Sequence, residues 1–264
     1  MGREFSLLEK MYQMLDQEYG EMVRIRRHLH QYPELSFQEK NTAKFIADFY
    51  NALGVPIKTG VGGGGIVARI QGGKPGKTVA LRADFDALPI QDEKEVTYKS
   101  KVPGVMHACG HDGHTALMLS LAKVLFSLRK ELKGEYVLIH QHAEELIPGG
   151  AKAMIEDGCL EGVDAIFGTH LWITEPLGKI LYKSGPAMAS ADEIRFTVLG
   201  KGGHGAYPHN TIDPIVAASQ LVLNLQQIVS RRINPLEQAV VSIGSFIAQG
   251  ATNVISEKAY LEGT

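Results

Sequence analysis

Three apolar runs that end in acids or imidazole constrain this chain more than any other feature. Thr78–Asp84, Tyr136–His142 and Ala165–His170 each read as a buried strand. Each delivers reactive side chains at or just past its end: Asp84 and Asp86, then Glu144 and Glu145, then His170. Helical spacing fills the gaps, over His114–Leu128 and near Gly149–Asp157. Strand and helix alternate, so the expected architecture is α/β, a mostly parallel sheet flanked by helices. Such sheets place ligands beyond the carboxyl ends of their strands.

Upstream, Leu8, Met11, Leu15, Met22, Ile25 and Leu29 recur at helical spacing until Pro33 ends the run, and a second helix is expected over Asn41–Leu53. Gly62–Gly65 then turns into a strand over Ile66–Ile70. After Gly185-Pro186 the pattern changes to a strand (Glu193–Leu199), a long helix (Asp213–Ile228) and two more strands (Ala239–Phe246, Lys258–Glu262). Two domains are therefore expected, residues 1–186 and a smaller α+β domain over 187–264.

Composition narrows the partners. With 27 basic and 29 acidic residues mixed along 264 positions, no basic stripe is available for nucleic acid or a membrane surface. No secretory leader or membrane-length apolar run appears, and two cysteines, Cys109 and Cys159, fit a reducing cytoplasm. Met1-Gly2-Arg3-Glu4-Phe5-Ser6 fits only a loose acylation pattern. Gly76-Lys77-Thr78 lacks the upstream glycine of a phosphate loop and opens a strand, which argues against nucleotide binding. A small-molecule substrate is the expected partner.

His107-Ala108-Cys109-Gly110-His111-Asp112-Gly113-His114 packs five potential metal donors into eight residues. Cys109 and His111 can reach one centre from a non-helical turn. A structural zinc site would want a second Cys or His pair, and Cys159 stands alone. Glu144 and Glu145 are adjacent like charges that repel unless a cation lies between them. Taken singly, Asp86 could cap a turn and His170 could be a core histidine; taken together they describe a pocket. A thiol hydrolase using Cys109 with His111 or His114 is an alternative, but it leaves the paired carboxylates without a task. His140 and His142 are expected to be satisfied by hydrogen bonds, and Trp172 to lie in the core.

Arg82-Ala83-Asp84-Phe85-Asp86-Ala87-Leu88-Pro89, the Met106–His114 stretch, His142-Ala143-Glu144-Glu145, Gly168-Thr169-His170 and Gly202-Gly203-His204-Gly205-Ala206 resemble the co-catalytic metallo-amidohydrolases. That is the aminoacylase and carboxypeptidase family, in particular its hippurate hydrolase, auxin-conjugate hydrolase and N-acetyldiaminopimelate deacetylase branch. The resemblance runs from Arg26 to Thr264. It implies metal-dependent hydrolysis of N-acyl-L-amino acids with two divalent ions per subunit, zinc or manganese, with cobalt or nickel as alternatives. It further implies Cys109, His111, Glu145 and His170 as ligands, Glu144 as general base and Asp86 as the carboxylate that orients a ligand. The wider family carries a His where Asp84 stands, a departure typical of this branch.

The same resemblance implies that 187–264 is a lid or dimerisation domain, half of a ferredoxin-like unit. His204 is expected to hold the oxyanion or the substrate carboxylate, commonly from the partner of a homodimer, and Asn253 to lie near the substrate. The resembling proteins continue past Thr264 with further catalytic-domain residues, including a His ligand. The expectation is thus a carboxy-terminally truncated chain, with an inactive remnant that only binds metal or dimerises as the alternative.

Overall fold

The structure is a computed structural model that describes residues 6–186 and 188–264. The amino-terminal acylation pattern lies almost wholly outside them, and the expected domain boundary at 187 falls on a residue that is not described. Two compact units are present, one ending at Pro176 and the other running Leu177–Thr264.

The first unit begins with α1 (Leu7–Gln31), whose start is fixed by a capping box: Glu9 N–H donates to Ser6 Oγ and Ser6 N–H to the Glu9 carboxylate. α2 (Lys40–Leu53) stops at Gly54, which takes the left-handed conformation that glycine adopts at low cost. β1 (Ile57–Val61) and β2 (Gly65–Gln71) form an antiparallel hairpin. Then follow β3 (Lys74–Asp84), α3 (His111–Leu128), β4 (Lys133–Gln141), α4 (Ala151–Glu156) and β5 (Ala165–Gly168).

The sheet order is β1-β2-β4-β3-β5. β4, β3 and β5 are mutually parallel, with helical crossovers long enough to allow it, whereas β1 pairs antiparallel with β2 across a short turn and β2 pairs antiparallel with β4. The sheet is therefore mixed, and its parallel half carries the reactive ends. Register does the positioning: Asp84 pairs with Gln141, and Arg82 with Gly168, so three strand ends arrive at one edge. Ile66, Ile70 and Leu138 on one face pack against Ile25, Ile46, Tyr50, Leu119 and Leu125 of the helices. Val67, Val137 and Ile139 on the other face meet Met154 and Cys159. Each such fully buried aliphatic side chain contributes about 1.5–3 kcal/mol.

The second unit holds β6 (Ile194–Leu199), β7 (Gly203–His204), α5 (Pro214–Gln227), β8 (Ile243–Ile247), β9 (Val254–Ile255) and β10 (Lys258–Gly263). β6-β10-β8 form an antiparallel sheet, and α5 lays Ala218 against Ala259 and Leu261. β7 and β9 form a separate ribbon. Among the described residues no helix is long and apolar enough to cross a membrane.

Candidate metal centre

Asp84, Cys109, His111, Glu144, Glu145 and His170 converge at the carboxyl edge of the parallel strands. Gly110, left-handed at φ 95°, turns the chain so that α3 opens on His111 rather than at His114. His111 Nδ1 then lies 3.0 Å from Asp86 O and 3.1 Å from Asp86 Oδ1. Both are acceptors, so Nδ1 carries a proton, and Nε2 is the nitrogen turned towards the acids. Nε2 faces Asp84 Oδ1 and Glu145 Oε1, each at 3.7 Å, and Glu144 Oε2 at 4.0 Å. Donors about 3–4 Å apart suit a shared cation roughly 2 Å from each.

His170 is oriented in the same way. Its Nδ1 sits 2.7 Å from Leu171 O and its Nε2 3.3 Å from Cys109 Sγ. Cys109, His111 and His170 form one possible donor set, and His111, Glu144 and Glu145 another. The fit to a cation rests on a specific deficit: His111 Nε2 and Glu145 Oε1 are buried without a hydrogen-bond partner. Buried polar atoms left in this way are costly, and a divalent ion between them removes the cost.

Electrostatics point the same way. Burial opposes ionisation of Asp86, but hydrogen bonds from His111, Glu145 N–H and Ser36 Oγ–H hold its carboxyl down at about 2. Burial raises the Glu144 carboxyl above its ordinary range, and the adjacent Glu145 charge raises it further. Burial and the same carboxylates push the Cys109 thiol up to about 12. A nucleophilic cysteine needs the opposite setting, and nothing in the metal-free site activates Cys109 as one.

Two residues of the edge were visible in the sequence without an assigned place. Asp84 Oδ1 accepts from His114 Nδ1–H at 2.6 Å, Asp84 Oδ2 pairs with Arg82 Nη1 at 2.6 Å, and His114 Nε2 accepts Leu171 N–H at 2.9 Å. Both His114 nitrogens are thus occupied, and the chain of contacts ends beside His170. A third, Ser36, gave no sequence signal. His140 Nε2 bonds Tyr50 OH at 2.8 Å, but His140 Nδ1 and His142 Nδ1 are both buried without a partner, so hydrogen bonds satisfy these two rings only in part. Trp172 departs from the expected core position: it is 56% exposed, with its ring 5.9 Å from that of His170.

In the second unit, His204 and Asn253 lie together on the β7-β9 ribbon. His204 pairs with Val254, and Gly205 N–H donates to Asn253 O at 2.7 Å. His204 Nδ1 accepts Ala206 N–H. Two cavities, of about 330 and 430 Å³, lie elsewhere, beside Lys58 and Cys159 and beside Arg27 and Tyr98.

The fold and donor set define a class, an α/β protein with a metal-donor cluster at one sheet edge, and comparison with known proteins gives the family. Residues 80–256 match the profile of peptidase family M20/M25/M40. YhaA of Bacillus subtilis (strain 168) is 63% identical over 259 residues, covering 98% of this chain and 65% of YhaA. The N-acyl-L-amino acid amidohydrolase of Geobacillus stearothermophilus is 48% identical over 261 residues, covering 97% of this chain and 69% of that protein. The crystal structure of Bacillus subtilis YXEP, a dinuclear metal binding peptidase from the M20 family, superposes with a TM-score of 0.73 at 41% identity. That alignment covers 94% of this chain and 64% of YXEP. The chain belongs to peptidase family M20/M25/M40, and it spans about two thirds of the length of these relatives.

Proposed function

We propose that this chain carries the metal-binding core of an enzyme that hydrolyses the amide bond of N-acyl-L-amino acids. The observation that carries the reading is His111 Nε2, buried and unpartnered, with the Glu144/Glu145 pair beside it and Asp86 behind it. Cys109, His111, Glu145 and His170 are the proposed ligands of two divalent ions. Bound there, such ions polarise an amide carbonyl and acidify water, which offsets a poor electrophile and a poor nucleophile.

The division between the two glutamates follows their exposure: the Glu145 side chain is 19% exposed and the Glu144 side chain 40%. Glu145 is the ligand and Glu144 the base. The Glu144 carboxylate accepts a proton from the attacking water as the C–O bond forms, then returns it to nitrogen as the C–N bond breaks. The raised pKa of this group strengthens it as the acceptor of the water's proton. Products are a carboxylate and a free amino acid.

His204 and Asn253 are proposed to contact the substrate, and the second unit to form a homodimer. A reducing compartment belongs to the proposal, because Cys109 can act as a ligand only while it is outside a disulfide.

The test is hydrolysis of hippurate and N-acetyl amino acids with added manganese or zinc, for this chain and for one extended to the length of its relatives. Release of free amino acid that a chelator stops is expected from at least the longer protein. An inert longer protein across a range of acyl amino acids would sink the reading.

A further inference from the structure

The loop between α1 and α2 reaches both turns that carry the acids of the metal centre. Ser36 Oγ–H donates to Asp86 Oδ2 at 2.7 Å, the oxygen that also accepts Glu145 N–H at 2.9 Å. Glu39 Oε1 accepts Ala143 N–H at 2.7 Å. Leu35 forms a parallel bridge to Ala87, and Glu34 O accepts Ala87 N–H at 2.9 Å. We infer that Ser36 and Glu39 are positioning residues of the metal centre, holding Asp86 and the Ala143–Glu145 turn in fixed relation to each other.

A helix-capping role for Glu39 is the plain alternative, and the geometry opposes it. Glu39 occupies the N-cap of α2 yet makes no side-chain bond to its own helix. Glu34 performs that task, accepting Asn41 N–H at 3.1 Å and Thr42 N–H at 2.8 Å. The Glu39 carboxylate is thereby free to cross to β4. It is 6% exposed, and backbone amides of its own loop (Phe37, Glu39) and of the turn after β4 (Ala143) meet this one buried carboxylate, which ties the two segments together.

Backbone strain marks the same contact. Phe37 at φ 64° and Ala143 at φ 47° are the two non-glycine residues with positive φ among the described residues. One lies in the loop and the other in the turn that the loop holds. The Phe37 ring also meets the ring of His142, next to Ala143, with centroids 6.0 Å apart. Such conformations persist where the surroundings over-determine them, and they gather at sites whose geometry is used.

This inference rests on the metal-centre reading above, and the experiment separates the two. The chelated chain is titrated with cobalt(II), following visible absorption, for the wild type and for Ser36→Ala, Glu39→Ala and Glu39→Gln. Wild type is expected to develop a ligand-field spectrum and His111→Ala to lose it. Ser36→Ala and Glu39→Ala are expected to bind cobalt roughly tenfold or more weakly with altered band positions, in the range seen when groups supporting a ligand are removed.

Glu39→Gln retains an oxygen acceptor and is expected to stay within about twofold of wild type, a rescue that loss of folding does not mimic. If Glu39→Ala does not fold, Ser36→Ala and Glu39→Gln decide. A Ser36→Ala protein with wild-type affinity and spectrum overturns the inference, as does a Glu39→Gln protein that fails to bind. A wild-type chain that binds no cobalt overturns the metal reading itself.

Discussion

His111 turns Nδ1 to Asp86 and leaves Nε2 bare, so a single side chain decides which nitrogen of its neighbour can meet a cation. Asp86 does this while accepting from three donors at once, His111 Nδ1–H, Ser36 Oγ–H and Glu145 N–H. A carboxylate is acceptor-only and tolerates that; an amide is not. Asp86→Asn places an NH₂ group against another donor and frees the His111 ring to turn. Metal affinity is expected to fall by roughly 10–100-fold, read by calorimetric titration with zinc. Unchanged affinity would show that Asp86 does not orient the ligand.

The two adjacent glutamates should separate experimentally. Glu144→Gln keeps a neutral isostere at the more exposed position, so metal content should stay near wild type. Turnover by the extended, active protein should fall by roughly 10²–10⁴-fold, the usual contribution of a general base. Glu145→Gln weakens the ligand set and should lower metal content first, with activity partly restored by excess metal. Identical phenotypes for the two variants would contradict the division of roles.

Acid should weaken the first unit well above the pH at which carboxylates protonate. His140 is fully buried, and burial lowers its pKa to about 3. The folded pKa is depressed, so stability is fully present above the unfolded value near 6.5 and is lost as pH falls from there towards 3. The loss over that window is on the order of 4 kcal/mol. Urea denaturation of the metal-free chain at several pH values measures it. His140→Gln, which does not titrate, should flatten the slope while costing about 1 kcal/mol at neutral pH through a poorer bond to Tyr50 OH.

Gly150 supports the acid-bearing turn from below. A Cβ there would come within 2.2 Å of His142 O and 2.8 Å of the His142 ring. Gly150→Ala must therefore move the residues that lead into Ala143 and Glu144. Overpacking of this kind costs about 1–3 kcal/mol, and cobalt affinity should fall together with the unfolding midpoint. A variant that melts early but binds cobalt normally would place the turn's rigidity elsewhere.

Much of the edge was readable because its signals are local. The octet His107–His114 and the Glu144-Glu145 pair declare themselves by spacing, and apolar runs identify the strands that deliver Asp86 and His170. What escaped depends on contacts between distant segments. Ser36 and Asp86 are 50 residues apart and Glu39 and Ala143 104, so no periodicity could join them. β1 was missed because Ile57-Lys58-Thr59-Gly60-Val61 is short and interrupted by glycine, and pairing with β2 is what makes it a strand. The start of α3 was placed three residues late, since only the left-handed turn at Gly110 brings His111 into the helix. Trp172 lies exposed rather than in the core, because composition says nothing about where a chain segment leaves the sheet.

Asp84, Asp86, Glu144 and Glu145 stand around one imidazole with two buried atoms unanswered. A cation that answers them binds the folded chain and finds no such cluster in the unfolded one. By mass action, saturation at a hundred times the dissociation constant adds about 2.7 kcal/mol to folding stability. Divalent metal bound in this way acts on the chain as a folding ligand. Resistance to heat and proteolysis should rise and fall with the metal supply of the surrounding solution.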